Sequence, residues 1–243
     1  MSHKTCLIIG AGEGLGHALS RRFAEENFNL ALISRSKEGS QAALEEAKNS
    51  FKDGKHLHFS GDAMQPETIT QAMHKVIETY KNIEVLIYNV RGGYELKEPL
   101  DMTFSDLESI YKIEVVGAFA AVKALLPRMI EKKQGKIIFS SATAALRGSG
   151  TNPIYAIGKF GLRALSQSLA KAYSKKGVHI SHVRLDCALD VPLIREWYGE
   201  DFKEEETANV HDVARNYWWI YLQPKSAWSN EVELRPFTED WTF

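Results

Sequence analysis

Apolar runs of strand length alternate with helical stretches along most of this sequence, and this order restricts the fold more than any other feature. The runs that predict strands are Cys6–Ile9, Leu30–Ile33, His56–Phe59, Val85–Tyr88, Lys136–Phe139, His179–Leu185 and Val232–Leu234. Between them apolar residues recur with helical period, as at Leu15, Leu19 and Phe23. Such alternation predicts parallel strands joined by right-handed crossovers.

We therefore predict an α/β fold, a Rossmann-like doubly wound parallel sheet of about seven strands with helices on both faces. Because no repeat or linker interrupts the order, we predict one domain over residues 1–243. The stretch from Thr103 to Met129 predicts a long helix that ends or bends near Pro127. Residues 190–210 are polar and poorly periodic, and they predict a mobile substrate flap or loop.

The bulk composition excludes several function classes. The 243 residues are 44% hydrophobic and 25% charged, with a net charge of −1. This balance gives no field that would attract nucleic acid or an anionic membrane. No apolar run approaches the roughly 20 residues of a membrane span, and the chain enters its first strand without room for a signal peptide. With Cys6 and Cys187 as unpaired thiols, we predict a cytoplasmic protein.

The first predicted strand leads directly into four alternating glycines, Gly10, Gly12, Gly14 and Gly16. Without Cβ atoms the backbone turns tightly and approaches a ligand, and the N–H groups of the next helix attract an anion. The loop fails the G-x-G-x-x-G spacing because Leu15 takes the third glycine's place, and Glu13 adds no positive charge. A tight turn without ligand is the alternative. We favour a nucleotide diphosphate, since four glycines cost backbone entropy that a turn does not require.

Arg35 follows the second predicted strand and stands between Ser34 and Ser36, about 20 residues beyond the glycines. In dinucleotide-binding folds the residue at this position contacts the adenosine ribose and distinguishes NAD from NADP. An acidic residue there accepts hydrogen bonds from the ribose of NAD. A guanidinium between two hydroxyls suits the 2′-phosphate of NADP. A solvated surface arginine is the alternative. We predict NADP rather than NAD.

Asp62, in Gly61-Asp62-Ala63, follows the third predicted strand. Its carboxylate is suited to accept from an adenine amino group. It is equally suited to cap a helix that begins near Glu67, and the sequence leaves both roles open.

Tyr155 and Lys159 begin the helix that follows the fifth predicted strand. One helical turn separates them, so their side chains share a face at the ligand end of the sheet. An ammonium beside a phenol lowers the pKa of the phenol and makes tyrosine a workable proton donor or acceptor. The lysine is also placed to hold the nicotinamide ribose. The pair predicts acid–base chemistry.

In combination these motifs resemble those of the short-chain dehydrogenase/reductase family over essentially the full chain. The glycine loop, Asp62, Asn89, Tyr155 and Lys159 fall in the family's order and spacing. The resemblance implies hydride transfer between C4 of a nicotinamide and a carbonyl or alcohol carbon while Tyr155 handles the proton. It also implies a small-molecule carbonyl or alcohol substrate and a homodimer or homotetramer.

The resemblance and the motifs together predict one set of cofactor contacts. In this set Val90 and Arg91 replace small residues of the family, and Leu189 offers its backbone to the carboxamide. The full set is Gly10, Gly12, Glu13, Gly14, Leu15, Gly16, Ser34, Arg35, Ser36, Asp62, Ala63, Asn89, Val90, Arg91, Tyr155, Lys159 and Leu189.

Two positions depart from the family's pattern. Ala142 stands where the family has a catalytic serine, and a shift of one residue would bring Ser141 to the substrate oxygen. Losing such a donor costs on the order of 10²–10³ in rate. Glu114 replaces an asparagine that holds a water beside the lysine. Its carboxylate either holds that water or pairs directly with Lys159.

Three alternative functions stand beside this prediction. A cofactor-binding protein of the same fold with little or no turnover is the alternative that Ala142 and Glu114 allow. The glycine loop also resembles that of methyltransferases, but these require a carboxylate where Arg35 stands. A hydrolase is disfavoured because Gly-x-Ser-x-Gly spacing is missing. The pairs His56 with His58 and His179 with His182 predict packing on the sheet, and we predict no metal.

Overall fold

Within residues 3–240, which the computed structural model describes, seven parallel strands form one sheet in the order β3-β2-β1-β4-β5-β6-β9. Met1, Ser2 and residues 241–243 of the predicted domain lie outside the described residues. The strands of the sheet are β1 (Thr5–Ile9), β2 (Asn29–Ser34), β3 (His56–Ser60), β4 (Ile83–Tyr88), β5 (Gly135–Ala142), β6 (Val178–Leu185) and β9 (Glu231–Leu234). The predicted fold class is confirmed, and each apolar run lies in its own strand.

The helices cover both faces of the sheet because alternate strand residues point in opposite directions. Leu7 and Ile9 of β1 pack into the core on one face, and Cys6 and Ile8 into the core on the other. The helices are α1 (Leu15–Glu25), α2 (Gln41–Ser50), α3 (Pro66–Thr79), α4 (Phe104–Tyr111), α5 (Gly117–Glu131), α6 (Pro153–Tyr173), α7 (Pro192–Tyr198) and α8 (Val210–Leu222). Helices α3, α5 and α6 cover the first face, and α1, α2 and α8 the second.

The strand order reverses between β1 and β4: β2 and β3 follow β1 toward one edge of the sheet, and β5, β6 and β9 follow β4 toward the other edge. Ligands of such sheets bind outside the carboxyl ends of the strands at the reversal. Gly10 follows β1 and Asn89 follows β4. The glycine loop therefore lies at the position where a dinucleotide is bound in this kind of fold.

The long helical stretch differs from its prediction. The helix does not end at Pro127: the proline is exposed inside α5, which continues to Glu131 because Leu126 and Met129 are buried in the core. The irregularity lies earlier, where a π-helical turn over Lys112–Val116 separates α4 from α5. The stretch is thus two helices joined by a wider turn.

Residues 190–210, predicted as a flap or loop, contain regular secondary structure, and their mobility stays a prediction. They contain α7 and the strand β8 (Thr207–Asn209), which pairs in parallel with β7 (Ala188–Asp190) in a second, two-stranded sheet. The guanidinium of Arg195 bonds Asp190 at 2.6 Å and lies 4.6 Å from the ring of Phe202. The pairing of β7 with β8 joins residues that are 19 positions apart, such as Ala188 and Thr207, and no local periodicity reports it.

Two predictions made from composition, on the cysteines and on membrane-spanning segments, can be compared with the structure. Cys6 and Cys187 are both free, as predicted, and burial raises the pKa of the Cys187 thiol to about 12. Among residues 3–240, no helix combines the length and the apolar character needed to cross a bilayer.

Candidate active site

The glycine loop packs closely at the carboxyl end of β1. Gly10 has a φ of 89°, in the left-handed region that favours glycine. A Cβ on Gly10 would lie 2.6 Å from the carbonyl oxygen of Asn89, and one on Gly16 would lie 2.6 Å from the carbonyl oxygen of Gly10. Side chains at these two positions would therefore push β1, β4 and α1 apart.

Helix α1 presents its N-terminus to this loop. Gly14 is the N-cap residue, Leu15 is buried, and Glu13 is exposed. Within residues 3–240, no side chain caps α1 and no acidic residue occupies its first turn. Backbone N–H groups of the first turn are thus available to an anion. A Cβ on Gly12 would have its nearest contact 3.8 Å away, so this part of the loop is open.

The loop after β2 is exposed at Arg35 and Ser36 and half-buried at Ser34. The Ser34 hydroxyl donates to the carbonyl oxygen of Ser36 at 2.7 Å and also contacts Ser40 and His58. The Ser36 hydroxyl in turn accepts from the backbone N–H of Gly39 at 3.3 Å, so both flanking hydroxyls have partners inside the protein. Arg35 and the adjacent Lys37 are both exposed to solvent.

Asp62 organises the turn after β3. Its Oδ1 accepts from the backbone N–H of Met64 at 3.0 Å, while α3 begins at Pro66 with Gln65 as N-cap. Asp62 therefore caps this turn and not the helix, which corrects one of its two predicted roles. Ala63 is buried, and its carbonyl oxygen would lie 2.7 Å from a Cβ on Gly117.

Asn89 joins the ends of β1 and β4. Its side-chain Nδ2 donates to the carbonyl oxygen of Gly10 at 3.0 Å, and its backbone N–H donates to that of Ile9 at 2.8 Å. Val90 is half-buried and packs against the core, and Arg91 is exposed. Arg91 lies near enough to lower the pKa of Tyr155, so its charge faces the acid–base pair.

Tyr155 and Lys159 lie on one face of α6, as predicted, but a carboxylate accompanies them. The Nζ of Lys159 lies 5.4 Å from the Tyr155 ring centroid and 2.8 Å from Oε2 of Glu114. The relative exposures of the Lys159 and Glu114 side chains are 2% and 0%. Of the two roles left open for Glu114, direct pairing with Lys159 is the one observed.

The pKa of Tyr155 differs from its sequence-based expectation. Burial raises it and is the largest effect; Lys159 lowers it, as expected, while Glu114 raises it. The outcome is a pKa above that of an ordinary tyrosine. The correction has a physical cause: desolvation of the phenolate and the Glu114 carboxylate together outweigh the ammonium.

The carboxyl end of β5 contains Ala142, which stands at the family's serine position, and the neighbouring hydroxyl residues. Ser140 contacts the Tyr217 hydroxyl at 2.8 Å, on the α8 side of the sheet. The Ser141 hydroxyl is buried and has no hydrogen-bond partner among the described residues. Ala142 is half-buried, and Thr143 donates to Asp186. The catalytic role of Ser141 stays a prediction.

Leu189 lies in β7, half-buried against the α8 side of the core. Two residues later, the Cγ1 of Val191 would lie 2.7 Å from a Cβ on Gly14. The segment that carries Leu189 therefore passes directly beside the glycine loop. This proximity is consistent with the predicted backbone contact to a carboxamide.

Two aromatic residues near Tyr155 were missed at the sequence level. The Tyr94 ring lies 5.7 Å from the Tyr155 ring in an edge-on arrangement, and 6.4 Å from the Trp197 ring of α7. Tyr94 and Trp197 are each about half exposed. Nothing in the sequence connects Tyr94 to residues 190–210.

The four histidines predicted to pack on the sheet have protein partners or lie in the core. His56 contacts the carbonyl oxygen of Phe51 at 2.8 Å and His58 contacts Ser34 at 3.0 Å. Burial lowers the pKa of both His179 and His182 to about 4. Within residues 3–240, no group of three or more His, Cys, Asp or Glu side chains is arranged to hold a metal ion.

Known proteins match the chain along most of its length. A family model described as short chain dehydrogenase matches residues 4–189. Carbonyl reductase family member 4 of Xenopus laevis is 29% identical over 212 residues, covering 87% of this chain and 84% of that protein. A solved short-chain dehydrogenase from Rhodopseudomonas palustris has a TM-score of 0.82 at 29% identity, covering 98% of this chain and 100% of that one. An alcohol dehydrogenase from Thermococcus sibiricus, complexed with 5-hydroxy-NADP, has a TM-score of 0.85 at 20% identity over 100% of both chains.

Proposed function

The chain belongs to the short-chain dehydrogenase/reductase family, and from this premise we propose that it is an NADP-preferring oxidoreductase acting on a small carbonyl or alcohol compound. The observation that carries the proposal is Tyr155 beside Lys159 on one face of α6. A solved relative by fold, the Thermococcus sibiricus alcohol dehydrogenase, is complexed with 5-hydroxy-NADP, and this supports the choice of cofactor.

The residues present fit a dinucleotide. Side chains at Gly10 and Gly16 would clash with the backbone, while the loop is open at Gly12. Among the described residues no side chain caps α1, so the N–H groups of its first turn would meet a pyrophosphate. Arg35 is suited to a 2′-phosphate, and Lys159 to the nicotinamide ribose. When bound, the nicotinamide supplies or accepts the hydride.

Tyr155 has the acid–base role in this proposal. Its phenol oxygen gives a proton to the substrate oxygen during reduction and takes one during oxidation. Lys159 keeps a positive charge beside the phenol. Tyr94 and Trp197 offer apolar surface above it, where a substrate's carbon skeleton is shielded from water.

A direct assay tests the proposed function. The full-length protein is incubated with NADPH and a panel of aldehydes and ketones, and NADPH consumption is followed. We expect turnover with at least one carbonyl class and weaker turnover with NADH. If neither coenzyme binds by calorimetry at millimolar concentration, the proposal is wrong.

Replacing Arg35 with alanine tests the cofactor preference. Because Arg35 is exposed, we expect Arg35→Ala to weaken NADPH binding by about tenfold, the low end for a charge-assisted hydrogen bond. NADH has no 2′-phosphate, so its affinity should change little. Calorimetric titration with both coenzymes measures the two effects.

Lys75→Ala is the matched control, since it removes one exposed positive charge from α3 in the half of the helix remote from the loop. It should leave both affinities unchanged. An equal loss of NADPH and NADH affinity in Arg35→Ala would contradict a phosphate contact.

The second candidate function is a cofactor-binding protein with little or no turnover. Ala142 at the family's serine position favours it, together with the enclosed Ser141 hydroxyl. Tight NADPH binding with no oxidation across the carbonyl panel would favour this candidate over the enzyme.

The variant Ala142→Ser separates a weakened enzyme from an inert one. Residue 142 is half-buried and thus more accessible than Ser141. We expect Ala142→Ser to raise the turnover number by roughly 10²–10³, the usual effect of one such donor. Ser141→Ala is the paired control, and we expect it to have the smaller effect. A larger loss in Ser141→Ala than gain in Ala142→Ser would assign the donor to Ser141.

A further inference from the structure

The ion pair between Glu114 and Lys159 is enclosed on all sides. Oε2 of Glu114 lies 2.8 Å from the ammonium nitrogen, and Oε1 accepts from the backbone N–H of Gly92 at 2.7 Å. Both carboxylate oxygens are thus used within the protein. Because the Glu114 side chain is 0% exposed, no solvent water competes with Lys159 for its carboxylate. The carboxylate therefore stays beside the ammonium.

Close helix packing brings this carboxylate to the acid–base pair. Gly158 of α6 faces the turn that carries Glu114: a Cβ there would lie 2.6 Å from Cγ1 of Ile110 and 3.0 Å from Cγ of Glu114. Glycine at 158 lets α6 approach closely enough for Lys159 to reach Glu114. Tyr155 begins the same helical turn, so the carboxylate, the ammonium and the phenol form one compact group.

We propose that Glu114 is a positioning residue that neutralises the Lys159 ammonium and thereby keeps the Tyr155 phenol protonated at neutral pH, so that the site favours carbonyl reduction over alcohol oxidation. The hydride-transfer reaction itself is taken from the proposed function, while the preference for reduction comes from the geometry around Glu114. In this inference the Tyr155 O–H is the proton donor to the substrate oxygen.

The charges around Tyr155 support this assignment. Burial disfavours the phenolate most strongly, and the charge of Glu114 and the neighbouring Tyr94 hydroxyl act in the same direction. Lys159 and Arg91 oppose them. Burial also disfavours the ammonium of Lys159, but Glu114 and Tyr155 outweigh it and raise the pKa of Lys159. The lysine therefore keeps its proton, and Glu114 offsets part of its effect on the phenol.

The proton balance of the reaction gives the consequence. In reduction the carbonyl carbon gains a hydride from NADPH and the carbonyl oxygen gains the Tyr155 proton; the products are an alcohol and NADP⁺, and the phenolate then recovers a proton from solvent. Oxidation requires the phenolate at the start. A phenol that holds its proton serves the first direction at neutral pH and supplies little base for the second.

Titration of the phenol tests the proposal without turnover. The full-length protein is labelled with tyrosine carrying carbon-13 at Cζ, and the Tyr155 resonance is identified by its absence in Tyr155→Phe. In the unmodified protein we expect the Tyr155 midpoint to lie above that of an unperturbed tyrosine. In Glu114→Gln we expect it to fall by about one pH unit or more, because a like charge is removed from beside the phenolate.

Glu84→Gln is the matched control. Glu84 is also a buried carboxylate with a lysine partner, Lys4 at 3.3 Å, but it lies at the amino end of β4. Its replacement should leave the Tyr155 midpoint unchanged. An equal shift in both variants, or none in Glu114→Gln, would overturn the proposal. If Glu114→Gln does not fold, the unmodified protein still decides: a Tyr155 midpoint below that of an unperturbed tyrosine is incompatible with it.

Kinetics separate this inference from the proposed function. With an active carbonyl substrate and its alcohol, the kcat for oxidation should rise about tenfold per pH unit above neutrality while the kcat for reduction stays flat. Glu114→Gln should move the oxidation profile to lower pH. A high phenol midpoint without any turnover rejects the proposed function and leaves the role of Glu114 intact; turnover with a low midpoint rejects the role of Glu114 alone.

Discussion

Tyr155→Phe is expected to lower the kcat for NADPH-dependent reduction by about 10²–10⁴-fold, the usual contribution of a positioned acid or base. Phenylalanine keeps the ring, and with it the contact to Tyr94 at 5.7 Å. It removes the only atom of this side chain that exchanges a proton. NADPH affinity should fall by less than about tenfold, because at most one hydrogen bond is lost.

The assay pairs steady-state NADPH consumption with calorimetric NADPH binding. Tyr173→Phe is the control, since Tyr173 ends the same helix far from the carboxyl ends of the strands. It should leave both quantities unchanged. Turnover in Tyr155→Phe equal to that of the unmodified protein would remove Tyr155 from the mechanism.

Lys159→Met is expected to lower the free energy of unfolding by about 3–5 kcal/mol, since removing one partner leaves the other charge buried without compensation. That partner is Glu114, which has no exposure to water. Urea unfolding at a fixed protein concentration measures the change, because any association of subunits would make the midpoint depend on concentration.

Arg21→Met provides the comparison. Arg21 bonds Glu25 at the same 2.8 Å, but their side chains are 47% and 36% exposed. A pair of this kind contributes at most about 1 kcal/mol. Adding Glu114→Leu to Lys159→Met should recover most of the loss, because no unpaired charge remains. Equal losses in Lys159→Met and Arg21→Met would contradict the burial of the pair.

The fold was predictable because a parallel sheet covered on both faces uses strands that are apolar throughout. Runs such as Val85–Tyr88 and Lys136–Phe139 mark their strands directly. The glycine loop and the Tyr155–Lys159 pair were predictable for a related reason: each is a local pattern at the end of a strand. Local sequence is sufficient for such features.

The rest of the site depends on contacts between distant segments. The pairing of β7 with β8 joins Ala188 to Thr207, and the aromatic contact joins Tyr94 to Trp197. Neither has a periodic signal. Pro127 did not end its helix, because the burial of Leu126 and Met129 on either side of it favours continuing the helix.

The π-helical turn at Lys112–Val116 has a consequence for the charge of the whole site. A turn of this type holds one more residue than an α-helical turn, and one residue corresponds to about 100° around a helix axis. Glu114 lies inside this turn, so an uninterrupted α-helix would change the direction in which its carboxylate leaves the helix axis relative to Lys159. If Glu114 sets the acidity of Tyr155 as proposed, that acidity depends on the backbone phase of this helix as well as on side-chain identity, and we expect a one-residue deletion in the turn to alter it.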